Sequence, residues 1–387
     1  MAHDQKHGPA DREMRDGYAD GFVPLEVLDL QQVGDMDDLM RAMAKTAFGG
    51  RRLGEAADVL ESMVTDPQCC NVLTLSGAMT VAKMNLVITE MVERGWIQAI
   101  ISTGALMTHG LVELAGMHHF KAAEGLDDKI LFERGYNRIY DTYEPEANLN
   151  NLAKLVVQVF DKLPLDARVG SRHLLALIGQ KLSESKRPRG LVTTCWQKGV
   201  PIYIPALSDS ELGLDLATFS VKRRRAATGE SAEEALTHLH SVLDPMLDLG
   251  HYASFVSKSP RIGIFTIGGG VPRNWAQQAP PFIDIMNDAL GTEVRMNRFR
   301  YGVRICPEPV HFGGLSGCTY SEGVSWGKFV DPKDGGRFAE VLTDATIAWP
   351  ILVKAVAQRL DKKGEKASSP NLGLEGYEPK WLPEFAR

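Results

Sequence analysis

The stretch from Asn71 to Gly104 reads NVLTLSGAMTVAKMNLVITEMVERGWIQAIISTG, and its alternation decides the fold. Asn71 to Leu75 is a short apolar run that stops at the Ser76-Gly77 turn. Met84, Val87, Ile88, Met91 and Val92 then recur at the i, i+3, i+4, i+7, i+8 spacing of one helix face, and Gly95 caps that helix. Trp96 to Ile101 forms the next strand and ends in Ser102-Thr103-Gly104. A strand, a crossover helix and a second strand are the building block of a parallel sheet.

The pattern recurs outward from this unit. Leu191 to Lys198 reads as a helix, Gly199-Val200-Pro201 breaks it, and Ile202 to Ile204 is a strand entering Pro205-Ala206-Leu207. Ile262 to Ile267 is a buried strand running into Gly268-Gly269-Gly270, and Val303 to Cys306 and Val341 to Thr343 are two more. A helix from Thr346 to Leu360, interrupted by Pro350, closes the series. The predicted fold class is α/β, a doubly wound, mainly parallel sheet of Rossmann-like type flanked by helices. Ligands in such folds sit at the carboxyl ends of the strands. We expect a flexible tail over residues 1–22, a single domain over 23–361, and an arm over 362–387 that ends with Trp381 and Phe385. The basic run Lys222 to Arg225 reads as a solvated helix face or loop.

Composition narrows the function. The chain has 387 residues, 44% of them apolar and 24% charged, enough for a sizeable core. A net charge of -6 lacks the basic excess of phosphate-binding surfaces, so no nucleic-acid partner is expected. No stretch approaches the roughly 18 apolar residues of a spanning helix, and residues 1–21 carry no signal-like apolar run, so no membrane partner is expected. Cys69, Cys70, Cys195, Cys306 and Cys318 form neither a disulfide framework nor a zinc spacing. Reduced thiols, a cytoplasmic location and no metal site follow as expectations.

Small or glycine-rich turns follow three strands: Ser76-Gly77-Ala78, Ser102-Thr103-Gly104-Ala105 and Gly268-Gly269-Gly270. Glycine lets backbone approach a phosphate, and the next helix N-terminus favours its charge. Each turn alone serves equally well as a tight connection. The densest segment runs from Gly313-Gly314-Leu315-Ser316-Gly317 through Glu322 to Ser325-Trp326-Gly327-Lys328. A lysine acting as a covalent amine must be deprotonated near neutrality, which burial and an apolar neighbour promote. Trp326 could be that neighbour, or offer a π face to a cation. By composition alone, a lone lysine is a surface residue.

Ser325-Trp326-Gly327-Lys328, with Glu322 and the glycine-rich run before it, resembles the segment around the catalytic lysine of deoxyhypusine synthases. Pro205-Ala206-Leu207-Ser208-Asp209, Gly268-Gly269-Gly270-Val271 and Asp344-Ala345 fall in that family's order, and the resemblance covers roughly residues 25–361. It implies an NAD-dependent transfer in which an aminobutyl group leaves spermidine, is held as an imine on Lys328, and passes to an amine acceptor. It further implies that Trp326 and Glu322 line the polyamine channel. Gly77, Thr103, Gly104, Asp209, Gly269, Gly270, Ser316, Asp344 and Ala345 would contact NAD. The acceptor would be a protein lysine, and the assembly a homotetramer with active sites between subunits.

The departures fall in the substrate pocket. Asn274 stands where the family has histidine, and an amide cannot shuttle a proton. His109 stands where it has an acid, and Leu315 replaces an aspartate. In Glu211-Leu212-Gly213-Leu214-Asp215 an acid moves by one position, with Asp215 or Glu211 able to compensate. A polyamine in a desolvated channel needs carboxylates along it, because an unpaired buried charge costs several kcal/mol. Three readings stay open: a deoxyhypusine synthase-like transferase, a homospermidine synthase-type enzyme with putrescine as acceptor, and a non-catalytic NAD-binding paralogue. His109 is read equally well as a hydrogen-bonded loop residue.

Overall fold

The computed structural model describes residues 15–374, apart from 124, 164–166, 185–188 and 240–241, and omits the side chain of Leu315. Most of the expected N-terminal tail and the end of the C-terminal arm, with Trp381 and Phe385, lie outside the described residues.

The strands are β1 (Cys69–Leu75), β2 (Ala99–Ile101), β3 (Phe120–Lys121), β4 (Tyr136–Ile139), β5 (Thr142–Pro145), β6 (Ile202–Tyr203), β7 (Arg261–Ile267), β8 (Phe299–Ile305) and β9 (Arg337–Val341). Six of them form one sheet in the order β6-β2-β1-β7-β8-β9, with every pairing parallel. The chain starts at the centre, works out to β6, returns beside β1 and works out to β9. That is the dinucleotide-binding order 3-2-1-4-5-6, and its reversal lies between β1 and β7.

All seven residues of β1 are buried, as a strand covered by helices on both faces requires. Side chains alternate between faces, so Leu73, Ile100, Phe265 and Val303 enter one core with Trp349 and Val356. Val72, Ala99 and Ile264 enter the other with Tyr252 and Ile283. The one polar side chain facing inward near the start of β1, Asn71, donates to the carbonyls of Met63 (3.0 Å) and Trp96 (3.1 Å), which ties the strand to the segments before and after it.

Three expectations shift. The strand begun at Trp96 is confined to Ala99–Ile101, and the one expected at Val341–Thr343 is Arg337–Val341. The last helix runs unbroken from Ala345 to Lys363 with Pro350 inside it. Pro350 sits early in that helix, so the missing N–H deprives only the Thr346 carbonyl near the N-terminal end. The Lys222–Arg225 run lies on the helix Glu211–Thr228, with Arg224 paired to Glu230 at 2.6 Å.

The N-terminal helices Met36–Ala44 and Phe48–Thr65 are held to the Ala345–Lys363 helix by Arg359, which is 1% exposed. Its Nε donates to Asp37 at 2.5 Å, and its Nη1 to Asp58 at 2.7 Å and Glu61 at 3.0 Å. Burial alone would raise the Asp37 carboxyl, but the guanidinium groups of Arg359 and Arg41 outweigh it and hold it below the ordinary range. Glu61 is depressed in the same way, with Lys363 and Arg359 outweighing burial. A depressed folded-state pKa stabilises above the unfolded carboxylate range and is lost as pH falls through the folded value. Arg359→Met takes its buried partner from Asp37, leaving it only the partly exposed Arg41 and Lys362, and should cost about 3 kcal/mol in urea unfolding at neutral pH. The deficit against wild type should shrink on acidification, as the less well paired Asp37 carboxyl takes up a proton.

Candidate active site

At the switch point, the ends of β1 and β7 are stitched together. Ser76 N and Oγ donate to the Ile267 carbonyl at 3.2 and 3.3 Å, and Gly269 N donates to Ser76 Oγ at 3.0 Å. This approach leaves no room for side chains. A Cβ on Gly268, itself at φ +75°, would lie 2.3 Å from Ser76 Oγ, and one on Gly269 would lie 2.5 Å from Ser316 Cα. The helix Gly270–Gln277 begins there without a side-chain cap, so its first N–H groups are available to an anion. The Gly270 Cα faces open space.

Every residue expected at the cofactor follows the carboxyl end of a strand in this sheet. Gly77 follows β1 with φ +77°. Thr103 caps the helix Gly104–Leu114 after β2, its Oγ1 accepting from Leu106 N at 3.3 Å. Asp209 precedes Ser210, the cap of the helix after β6, and Gly104 is bare where a Cβ would meet Ser210 Oγ. Gly269 and Gly270 follow β7, and Ser316 lies in a short turn after β8. Asp344 caps the helix that starts at Ala345 after β9, its Oδ1 accepting from Thr346 N at 2.9 Å.

The lysine segment is built differently. Thr319 caps the helix Tyr320–Ser325 by accepting from Glu322 N at 3.1 Å, and Gly327 turns the chain at φ +69°. Lys328 N donates to the Gly323 carbonyl at 3.0 Å, and the Lys328 carbonyl accepts from Phe299 N at 2.9 Å. The lysine backbone is thereby fixed at the start of β8, and its side chain is half-buried. Its Nζ lies 5.9 Å from the ring centre of Trp326, which is 68% exposed. Burial pulls the Lys328 amine below the ordinary lysine range; Cys318 and Glu322 act the other way, and nearby Arg273 adds to the lowering. Arg273 is itself buried over the Tyr320 ring, and burial pulls its pKa down.

His109 and Asp215 lie elsewhere, on the helices that follow β2 and β6. Asp215 is raised to about 6 by burial and then by Glu211. His109 Nδ1 lies 2.8 Å from Oε2 of Glu144, a fully buried residue on β5. Glu144 Oε1 is 3.2 Å from Nε2 of His119. Burial would raise the Glu144 carboxyl, but the two imidazoles outweigh it and hold it at about 2. Burial would lower His109; Glu144 outweighs that and raises it. The acid expected at position 109 is thus replaced by a histidine backed by an acid.

The residues predicted to line one channel come from different elements. Lys328, Trp326 and Glu322 share one segment, His109 and Asp215 lie on the helices after β2 and β6, and Asn274 sits on the helix Gly270–Gln277 beside Arg273. His119 and Glu144 were not anticipated. Glu144 lies on β5 and His119 just before β3 of a small antiparallel sheet of order β3-β5-β4, whose short strands carry no clear alternation. Arg273 and Cys318 are both close enough to act on the Lys328 charge, and no motif in the sequence marks them for it.

The fold and this site define a doubly wound α/β protein with glycine turns and helix N-termini gathered at the switch point and a half-buried lysine beside an indole. The family model described as "Deoxyhypusine synthase" matches residues 38–356. "Probable deoxyhypusine synthase 2" of Methanosarcina mazei is 31% identical over 357 residues, covering 92% of this chain and 94% of that protein. "Deoxyhypusine synthase-like protein" of Chlorobaculum tepidum is 30% identical over 339 residues, covering 87% and 90%. Among solved structures, a "putative deoxyhypusine synthase from Entamoeba histolytica" shares the fold with a TM-score of 0.53 at 14% identity, covering 86% of this chain and 96% of that one. The chain belongs to the deoxyhypusine synthase family. Among the described residues no helix is long and apolar enough to cross a membrane.

The switch-point packing is open to direct test. Gly269→Ala should push the Gly314–Cys318 stretch outward and cost about 1–3 kcal/mol in urea unfolding, the usual range for overpacking. Gly49→Ala, in a helix with nothing within 4 Å of the added methyl, should be neutral or mildly stabilising.

Proposed function

We propose that this chain is an NAD-dependent transferase that carries an aminobutyl group from a spermidine-like polyamine to an amine acceptor through an imine on Lys328. The observation that carries the proposal is the half-buried Lys328 amine, pulled below the ordinary lysine range beside the Trp326 indole, in a chain of this family. An amine is a nucleophile only as the free base, so the lowering serves imine formation directly.

The residues present fit NAD. The uncapped helix start at Gly269-Gly270 suits the pyrophosphate, and Asp209 and Asp344 suit ribose hydroxyls, at the switch point where such folds bind dinucleotides. Thr103, Gly104, Gly77, Ser316 and Ala345 would complete its walls. NAD, when bound, accepts a hydride from the carbon next to an amine and can return it. Lys328 then attacks the resulting imine carbon and releases the outgoing diamine. A second amine displaces Lys328 in turn and regenerates the free lysine. Trp326 offers its ring face to the ammonium groups, and Glu322 and Asp215 offer carboxylates.

The exposed Trp326 indole beside the half-buried Lys328 supports a homo-oligomer whose sites are shared between subunits. The acceptor is an amine, either a protein lysine or a small amine such as putrescine.

With NAD, labelled spermidine and borohydride, a stable adduct should form on Lys328 and be absent from Lys328→Arg, as read by peptide mass spectrometry. NAD binding without any polyamine adduct on Lys328 would overturn the reading. Adduct formation should rise with pH to a midpoint below the ordinary lysine value of about 10.4. Asp215 offers a second handle, because its carboxylate is present above a pKa of about 6 and neutral below it. Polyamine affinity should therefore weaken as pH falls through that value, and Asp215→Asn should weaken it and remove that pH step.

A further inference from the structure

We infer that His109, His119 and Glu144 form a binding site for a divalent transition-metal ion of the Zn2+ class, at which two imidazoles and one carboxylate supply three ligands. One donor atom from each residue lies within 4.8 Å of the others. The measured pairs, 2.8 Å for His109 Nδ1 to Glu144 Oε2 and 3.2 Å for Glu144 Oε1 to His119 Nε2, approach the ligand–ligand spacing of about 3.3 Å that tetrahedral zinc bonds of about 2.05 Å impose.

The orientation is the second observation. Glu144 and the His119 side chain are fully buried, yet His109 Nδ1, His119 Nε2 and both Glu144 oxygens make no hydrogen bond despite their proximity. Buried polar atoms almost always find a partner, because leaving one unsatisfied costs about 1–3 kcal/mol. Here the ring nitrogens are near the carboxylate but not aimed along a hydrogen bond to it. An ion set between the three would satisfy all of them at once. Two imidazoles and a carboxylate form a donor set that zinc uses where a fourth position stays open. The His109 side chain keeps 15% exposure, so access is from its side. Glu211 acts on the His109 charge there and has a buried oxygen, Oε2, without a hydrogen bond. A carboxylate behind a metal-bound imidazole is the usual orienting partner.

One feature competes. Lys83 Nζ lies 3.0 Å from His119 Nδ1 and is paired with Glu113. An ammonium donating to Nδ1 forces the imidazole proton onto Nε2, where Glu144 would receive it and no ion could bind. Lys83 is exposed and can leave, whereas the three ligands cannot. The site would also fasten the small sheet, which delivers Glu144 on β5 and His119 ahead of β3, to the Gly104–Leu114 helix. The proposal does not depend on the chemistry of Lys328.

The test uses the full chain, purified without added metal, analysed for bound ions, stripped with chelator and titrated with Zn2+. One ion per chain is expected. Glu144→Gln and His119→Gln should weaken binding by more than the 10–100-fold typical of losing an outer-shell partner. Lys83→Gln, which removes the competing donor, should tighten it. Zn2+ should slow hydrogen exchange over residues 136–145 in the wild type. Should the ligand variants fail to fold, the Co2+-loaded wild type decides: nitrogen–oxygen tetrahedral bands support the site, and thiolate charge-transfer bands overturn it. Binding unchanged in Glu144→Gln, or no binding by either wild type or Lys83→Gln, overturns it as well.

Discussion

The contact on which the molecule turns is the three-way approach of Ser76, the Gly268-Gly269 backbone and Ser316. The sheet reverses its direction of growth between β1 and β7, and at that point two strand ends and the loop after β8 converge. Any side chain on Gly268 or Gly269 would fill the space the backbones occupy. The same exclusion leaves the N-terminus of the Gly270–Gln277 helix uncapped and open, so one steric constraint joins the strand ends at the switch point and keeps the first N–H groups of that helix free of a side-chain cap. Thr103, Asp209 and Asp344 reach this edge because each begins a helix where its own parallel strand ends.

What the sequence revealed follows from what it must bury. β1 and β7 are covered on both faces, so they appear as mainly apolar runs without alternation, and the helix between β1 and β2 shows its buried face by spacing. β9 is an edge strand of alternating burial, Arg337-Phe338-Ala339-Glu340-Val341, and its apolar signal is weak enough that the expected position slid toward the following turn. Pro350 reads as a break because proline removes an N–H, yet one lost bond is small beside the burial of Trp349, Leu352 and Val353 around it. The small sheet left no signal, since Tyr136 to Arg138 face solvent and Tyr140 turns at φ +55°.

The site was legible only where its chemistry is local. Ser325 to Lys328 is a contiguous segment, and the lysine's neighbour Trp326 is next to it in sequence as in space. Arg273 and Cys318 reach the same amine through tertiary structure alone, and nothing in their spacing marks them. The His109 environment is the clearest case: Glu144 and His119 arrive through an antiparallel excursion between β2 and β6, and no spacing in the sequence links either of them to His109.

A histidine backed by a carboxylate has different electrostatics from a bare acid. A bare carboxylate at position 109 would present a full negative charge to an ammonium. His109 instead stands in front of Glu144, its Nδ1 2.8 Å from the carboxylate, and without a bound ion the carboxylate makes that imidazole easier to protonate, which brings the pair towards neutrality. An ammonium brought to that position meets a partner of smaller charge, in surroundings where an unpaired cation costs several kcal/mol. Glu211 and Asp215, on the first turns of the neighbouring helix, are left to hold it, and Asp215 is raised first by its burial and then by its repulsion from Glu211. A cation set between them would relieve that repulsion, whereas one set against His109 would meet an imidazole that Glu144 makes easier to protonate.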